Sequence, residues 1–311
     1  MSTWVRRLLA YGLAASIIFF LARGIPLQQF ASAIRHANAP LFLLACLGSL
    51  VFWFLGENIL LSKLFSYFHT PTSFREMLPG NAAQYFLQAI NQVAGGTALV
   101  LFMRRRKGVP LFSGGATMVF LALIDLQVMA LMGLVAAILV PDSLLGHAWL
   151  YPAAMAAGLA LVAWFWRRGR PSSVLARWVY DRPSLESFRQ ARLSHYVRLI
   201  LIRAPIFVMQ GVMLYVMLIS FGTHVPFRQV MAFEPVELFL AALPITPAGL
   251  GVLQAALIFG FHAYGSRAIL LTTGLAISTM GIILRLLLGL GSAGALARDL
   301  IRNPEPVALA D

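Results

Sequence analysis

The stretch Asn81–Lys107 reads NAAQYFLQAINQVAGGTALVLFMRRRK. Residues 81–103 carry no charge and are long enough to cross a bilayer, for which about 20 mostly apolar residues suffice. They run directly into Arg104, Arg105, Arg106 and Lys107. Basic residues collect on the cytoplasmic side of membrane proteins. A crossing at 81–103 would put this block outside, together with a later stretch holding Arg167, Arg168, Arg170, Arg177, Arg182, Arg189 and Arg192. One reading keeps both inside: Asn81–Met103 is a re-entrant hairpin that enters from the cytoplasm and returns to it.

The rest of the sequence fits that frame. Of 311 residues, 60% are apolar and 11% charged, with a mean hydropathy of +0.81. A soluble domain carries about 25% charged residues, so the chain reads as an all-α polytopic membrane protein with no room for a sizeable soluble enzyme domain. Its net charge of +13 is accounted for by cytoplasmic loops and anionic headgroups, and no nucleic-acid partner is expected. The single cysteine, Cys46, excludes an intrachain disulfide and any metal cluster built on cysteine.

Full spans are expected over Leu8–Ala22, Leu41–Leu61, Leu111–Val140, Trp149–Trp166, Val197–Phe221 and Ala268–Ala297, with a cytoplasmic basic loop over about 167–196. The first run lacks a small-x-small cleavage site and reads as an uncleaved span. The region Val230–Tyr264 is interrupted by Leu243-Pro244-Ile245-Thr246-Pro247-Ala248-Gly249-Leu250-Gly251, which cannot continue one helix. It reads as a second re-entrant hairpin, entered from the opposite face. The expected architecture is one integral membrane domain over 1–311, with about six full spans, two opposed re-entrant hairpins and both termini cytoplasmic. Opposed broken segments point to a polar site at mid-membrane.

Candidate site residues follow from polarity at depth. Asn81, Gln84, Gln88, Asn91 and Gln92 have the spacing of one helical face, suited equally to joining helices and to lining a polar cavity. Gly95-Gly96 then allows a turn or a close approach. Ionisable groups at membrane depth mark functional sites: Glu57, Asp125, Arg203, Glu234, Glu237 and Arg285. Glu57 lies within two turns of Lys63 and Arg203 close to Arg198, so both could reach toward an interface. Arg285 is 13 residues before Arg298, about 20 Å along a helix. It is too deep to escape, and pairing with Asp125 or Glu237 would make its burial tolerable. Glu234 and Glu237 share a face at i, i+3 and could hold a proton between them; Glu237 is the stronger candidate, with Glu234 alternatively in water near Arg228. Gly249 and Gly251 precede a new helix start that could meet an anion. The six histidines are scattered over loops and helix ends, and no HExxH or Cys/His ligand set occurs.

The segment Pro244–Gln254 resembles the proline, proline-glycine-leucine-glycine signature of the lysylphosphatidylglycerol synthase transmembrane region, the flippase-like integral membrane family. Asn91–Gly96 before the block Arg104–Lys107, Asp125 in the following span and Arg285 in the last one strengthen the likeness, which runs from about Val5 to Arg302. The chain carries Gln254 where the family often has Glu, and Leu121–Ile124 lacks the Arg that commonly precedes the aspartate. The family's bifunctional members add a soluble aminoacyltransferase domain, so this chain looks like a stand-alone flippase-type module.

The resemblance implies a protein of a bacterial-type inner membrane that moves a phospholipid or related lipid, with an anionic or zwitterionic headgroup, between leaflets. In that expectation Arg285 holds the phosphate with Arg203 assisting. The amide stripe with Pro247, Gly249, Gly251 and Gln254 lines the cavity, and Asp125, Glu237, Glu234 and Glu57 serve pairing or coupling. No catalytic residue, metal or cofactor is expected. The alternatives are a non-transporting partner of a lipid-synthesis or envelope complex, and an integral-membrane lipid-modifying enzyme. The small-residue stripe Gly274, Ser278 and Gly281 suits a homo-oligomer contact as readily as internal packing.

Overall fold

The computed structural model describes residues 16–23, 25–88, 92–142, 149–168, 172–173, 177, 180–182, 185–242 and 250–302. Among these no strand occurs. The helices are α1 (Ser16–Ala22), α2 (Leu27–His36), α3 (Ala39–Phe68), α4 (Phe74–Gln88), α5 (Gln92–Lys107), α6 (Leu111–Leu139), α7 (Leu150–Arg167), α8 (Glu186–Gln190), α9 (Leu193–Ser220), α10 (Phe227–Ala242), α11 (Val252–Phe261) and α12 (Arg267–Arg302). The reason for helix is that lipid offers the backbone no hydrogen bonds, so long apolar segments must satisfy it internally. Among the described residues four helices are long and apolar enough to cross a membrane: α3, α6, α9 and the Arg267–Leu290 part of α12. The α7 helix has 18 residues, about 27 Å of rise. Most of the expected first span, Leu8–Ala22, lies outside the described residues.

The expected amide stripe is not one continuous helix. The α4 helix ends at Gln88 and α5 begins at Gln92, so a single face joins only Asn81, Gln84 and Gln88. Asn91 and the side chain of Gln92 lie outside the described residues. The two helices pack antiparallel, since Gly80 meets the Phe102 ring while Gly95 meets Gln88 and Gln84. Gly95 and Gly96 are helical, and the close approach is the part of their expected role that holds. A Cβ on Gly95 would sit 2.8 Å from the Gln84 carbonyl oxygen and would collide with Gln88 Cγ. Likewise α10 and α11 are separate helices packed on one another, with Pro247 and Gly249 in the undescribed stretch between them.

The chain divides into two units. One takes residues 1–53, 126–157 and 204–284; the other takes 54–125, 158–203 and 285–311. The first unit packs Leu218, Val230, Phe233, Leu257, Phe261 and Leu270 into a core contributed by α9 to α12, with Phe42, Ala45 and Cys46 of α3 against Met217 and Phe221. Asn38 caps α3 through its Oδ1, which accepts from the Leu41 amide at 3.1 Å.

The second unit holds α4, α5 and α8. Its aromatic side chains interlock: Phe120 meets Phe68, Phe188 and Tyr196, and Trp166 stacks on Tyr180 and tilts against Phe188. Two polar contacts hold α8 here: Ser113 Oγ donates to Glu186 Oε2 at 3.0 Å and Thr117 Oγ1 lies 2.8 Å from Ser187 Oγ, while His69 Nε2 lies 2.8 Å from the same Thr117 Oγ1. Burial lowers the pKa of His69 against a smaller opposing effect of Glu186. His195 stacks on Tyr67 with centroids 4.5 Å apart. Both histidines are half-buried and engaged in packing at helix ends.

Candidate functional site

In the second unit, two polar stripes face each other. Phe54, Glu57 and Asn58 recur at i, i+3 and i+4 on α3, and Asn81, Gln84 and Tyr85 do the same on α4, a spacing that aligns side chains along one helix face. Gln84 Nε2 donates to Glu57 Oε1 at 3.0 Å and the Tyr85 hydroxyl donates to Glu57 Oε2 at 3.1 Å. Asn81 Nδ2 donates to the Phe54 carbonyl at 3.1 Å, and Asn58 Nδ2 donates to the Phe74 carbonyl at 2.8 Å. Glu57 is 5% exposed, and Asn81 and Gln84 are buried. Glu57 therefore turns into the protein toward α4; the expected excursion toward Lys63 is corrected, because two buried donors claim both of its oxygens.

Arg203 of α9 is 3% exposed and meets Asp125 of α6. Its Nη2 donates to Oδ2 at 2.8 Å, and Nε lies 2.7 Å from Oδ1 in an ion pair less well aligned for hydrogen bonding. Two expectations are corrected here. Arg203 does not reach for an interface, and the partner of Asp125 is Arg203, not Arg285. A buried ion pair is tolerable where its geometry is close and neighbouring groups complete it. Glu57 lies within electrostatic reach of both Asp125 and Arg203.

Arg285 lies within electrostatic reach of Tyr85, as does Arg203. It is half-buried. Among the described residues it makes no hydrogen bond or ion pair. All four ionisable groups belong to this unit. Four helices, α3, α6, α9 and α12, thus contribute two acids and two guanidinium groups within electrostatic reach of one another or of Tyr85. Tyr85 belongs to this cluster and was missed in the sequence; its i+4 spacing from Asn81 was the available signal.

The other candidates lie in the first unit. Gln254 is fully buried, and its amide is engaged three times: Oε1 accepts from the Gly251 amide at 2.6 Å, and Nε2 donates to the Gly274 carbonyl at 2.9 Å and to Ser278 Oγ at 3.0 Å. Gly251 has φ of 87°, a left-handed conformation that favours glycine. This is a joint between α11 and α12, and only an amide, donor and acceptor at once, completes it. Glu234 is 0% exposed, with neither carboxyl oxygen hydrogen-bonded among the described residues. The alternative placing it in water is corrected: α10 turns this residue against Gly211 of α9. Glu237 is half-buried and within electrostatic reach of Glu234.

Among the described residues no group of three or more His, Cys, Asp and Glu is placed to hold a metal ion. No curated protein matches the chain. The family model described as the lysylphosphatidylglycerol synthase TM region matches residues 7–289, and the chain belongs to that family of integral membrane proteins.

Proposed function

We propose that this protein moves a phospholipid or related lipid, with an anionic or zwitterionic headgroup, between membrane leaflets. Membership of a lipid-linked membrane family supports the substrate class. The observation that carries the reading is Arg285, a half-buried guanidinium with no ion pair among the described residues, within electrostatic reach of Tyr85 as is Arg203, which Asp125 already neutralises. A guanidinium offers five N–H donors in a planar fork that matches phosphate. Arg285 takes the phosphate, while the Arg203–Asp125 pair and the Glu57–Gln84–Tyr85 contacts form a fixed polar wall beside it. Acyl chains remain in the bilayer.

In this reading α4 and α5 form a re-entrant hairpin, α10 and α11 a second one from the opposite face, and six full spans complete the domain. The basic segments and both termini lie on the cytoplasmic side of a bacterial-type inner membrane. Gln254 and Gly251 brace α11 against α12. The protein acts as a carrier with no catalytic group of its own.

The test is leaflet exchange of labelled phospholipids in proteoliposomes across phosphatidylglycerol, phosphatidylethanolamine and a neutral diacylglycerol. Exchange restricted to phosphate-bearing lipids supports the reading. Equal exchange of the phosphate-free lipid, or no exchange by folded protein, contradicts it.

A further inference from the structure

The α2 helix is not used by this mechanism. It has ten residues, LQQFASAIRH, about 15 Å of rise, half of what a hydrocarbon core of about 30 Å requires. It leaves α1 at an angle of 89°, directly after Pro26. Stepping about 100° per residue, Leu27, Phe30, Ala31 and Ile34 fall on one side. Gln28, Gln29, Ser32, Arg35 and His36 fall on the other, and Ala33 between them is the one buried residue. Among the described residues the apolar side is largely open: Leu27 is 84% exposed and Ile34 63%, with Phe30 half-buried.

Hydrogen bonds anchor the chain on either side of α2. Arg267 Nη2 donates to the Phe20 carbonyl at 2.8 Å in α1, and the Asn38 amide donates to the Ser220 carbonyl at 2.7 Å just beyond α2. Its surroundings in sequence are cationic: Arg23 and Arg35 are exposed, and the first acidic residue of the chain is Glu57.

We infer that α2 lies in the plane of the membrane surface, with Leu27, Phe30, Ala31 and Ile34 in the acyl boundary and Arg35 against the phosphates of anionic lipids. Segregated faces, a right-angle departure from a membrane-bound helix and basic residues on the polar side are what an interfacial helix requires. Anionic headgroups near a basic residue add to the attraction. The inference is independent of the transport reading.

The test uses the full chain with Cys46→Ala, in nanodiscs of phosphatidylglycerol and phosphatidylcholine in equal amounts. Single nitroxides are placed through Ile34→Cys or Ser32→Cys. Collision rates with oxygen and with a water-soluble nickel chelate report depth. The expected result is a several-fold preference for oxygen at 34 and for nickel at 32. Preference for nickel at both positions means a helix in water, and preference for oxygen at both means half of a bent span; either overturns the inference. In discs of phosphatidylcholine alone, position 34 becomes shallower, and Arg35→Gln removes the difference between the two lipid compositions. Equal depth of the unsubstituted helix in both compositions overturns the anionic-lipid assignment.

Discussion

Arg203 and Arg285 carry the same charge, yet substitution separates them. Arg203→Ala leaves the half-buried Asp125 without its partner; loss of one member of a fully buried pair costs about 3–5 kcal/mol, and partial exposure of the carboxylate lowers that, so thermal denaturation in detergent should show a clear loss. Joint replacement of the pair by Arg203→Met and Asp125→Leu should recover most of it. Glu76 offers a pH test outside the membrane helices' apolar parts. Its carboxylate accepts from Lys107 Nζ at 2.6 Å and from the Ser73 amide and hydroxyl, and this sets its pKa at about 2. The folded value is depressed, so this contribution is fully present above the ordinary carboxylate range and is lost as pH falls toward 2. Glu76→Gln should remove that part of the acid-induced fall in melting temperature. An identical fall in wild type and variant would show that the contact contributes nothing. The expected depth of Arg285 rests on its 13-residue distance to Arg298. The pairing of Asp125 was not legible in the sequence, because 78 residues separate it from Arg203 and only packing of α6 on α9 decides which guanidinium arrives.

At the scale of elements, local chemistry announced the breaks. Proline and glycine between α10 and α11 and the basic block ending α5 were readable from residue type alone. The end of α4 was not, since the amide spacing runs on through Asn91 without a breaker, and a periodic pattern alone does not mark a turn. The role of Gln254 was also hidden. Its sequence position suggested a cavity, whereas its three partners lie on α12 and at the start of its own helix. Gln254→Leu leaves the buried Gly251 amide unpaired and removes the bonds to the Gly274 carbonyl and Ser278 Oγ, at a cost of about 1–3 kcal/mol. Unfolding in detergent should read that loss while headgroup selectivity in proteoliposomes stays unchanged. Altered selectivity at full stability would return Gln254 to the substrate site.

For the whole molecule, charge distribution sets orientation. With Cys46→Ala as background, single cysteines through Arg105→Cys and Asp142→Cys should react with a membrane-impermeant thiol reagent from opposite sides. Reaction from one side sinks the arrangement of a re-entrant 81–103 followed by a crossing at α6. Composition made the membrane class and the helical fold legible, and the family followed from a short motif with four scattered polar positions. Charge neutralisation inside the bundle was not legible, because it depends on which helices meet. The most direct test of the central claim is leaflet exchange by Arg285→Ala against wild type, with folding verified by thermal denaturation. A guanidinium that holds phosphate through charge-assisted hydrogen bonds contributes about 1.5–3 kcal/mol, so the account predicts a loss of roughly tenfold or more in exchange of phosphate-bearing lipids. Unchanged exchange by the folded variant would remove Arg285 from the mechanism and contradict the account.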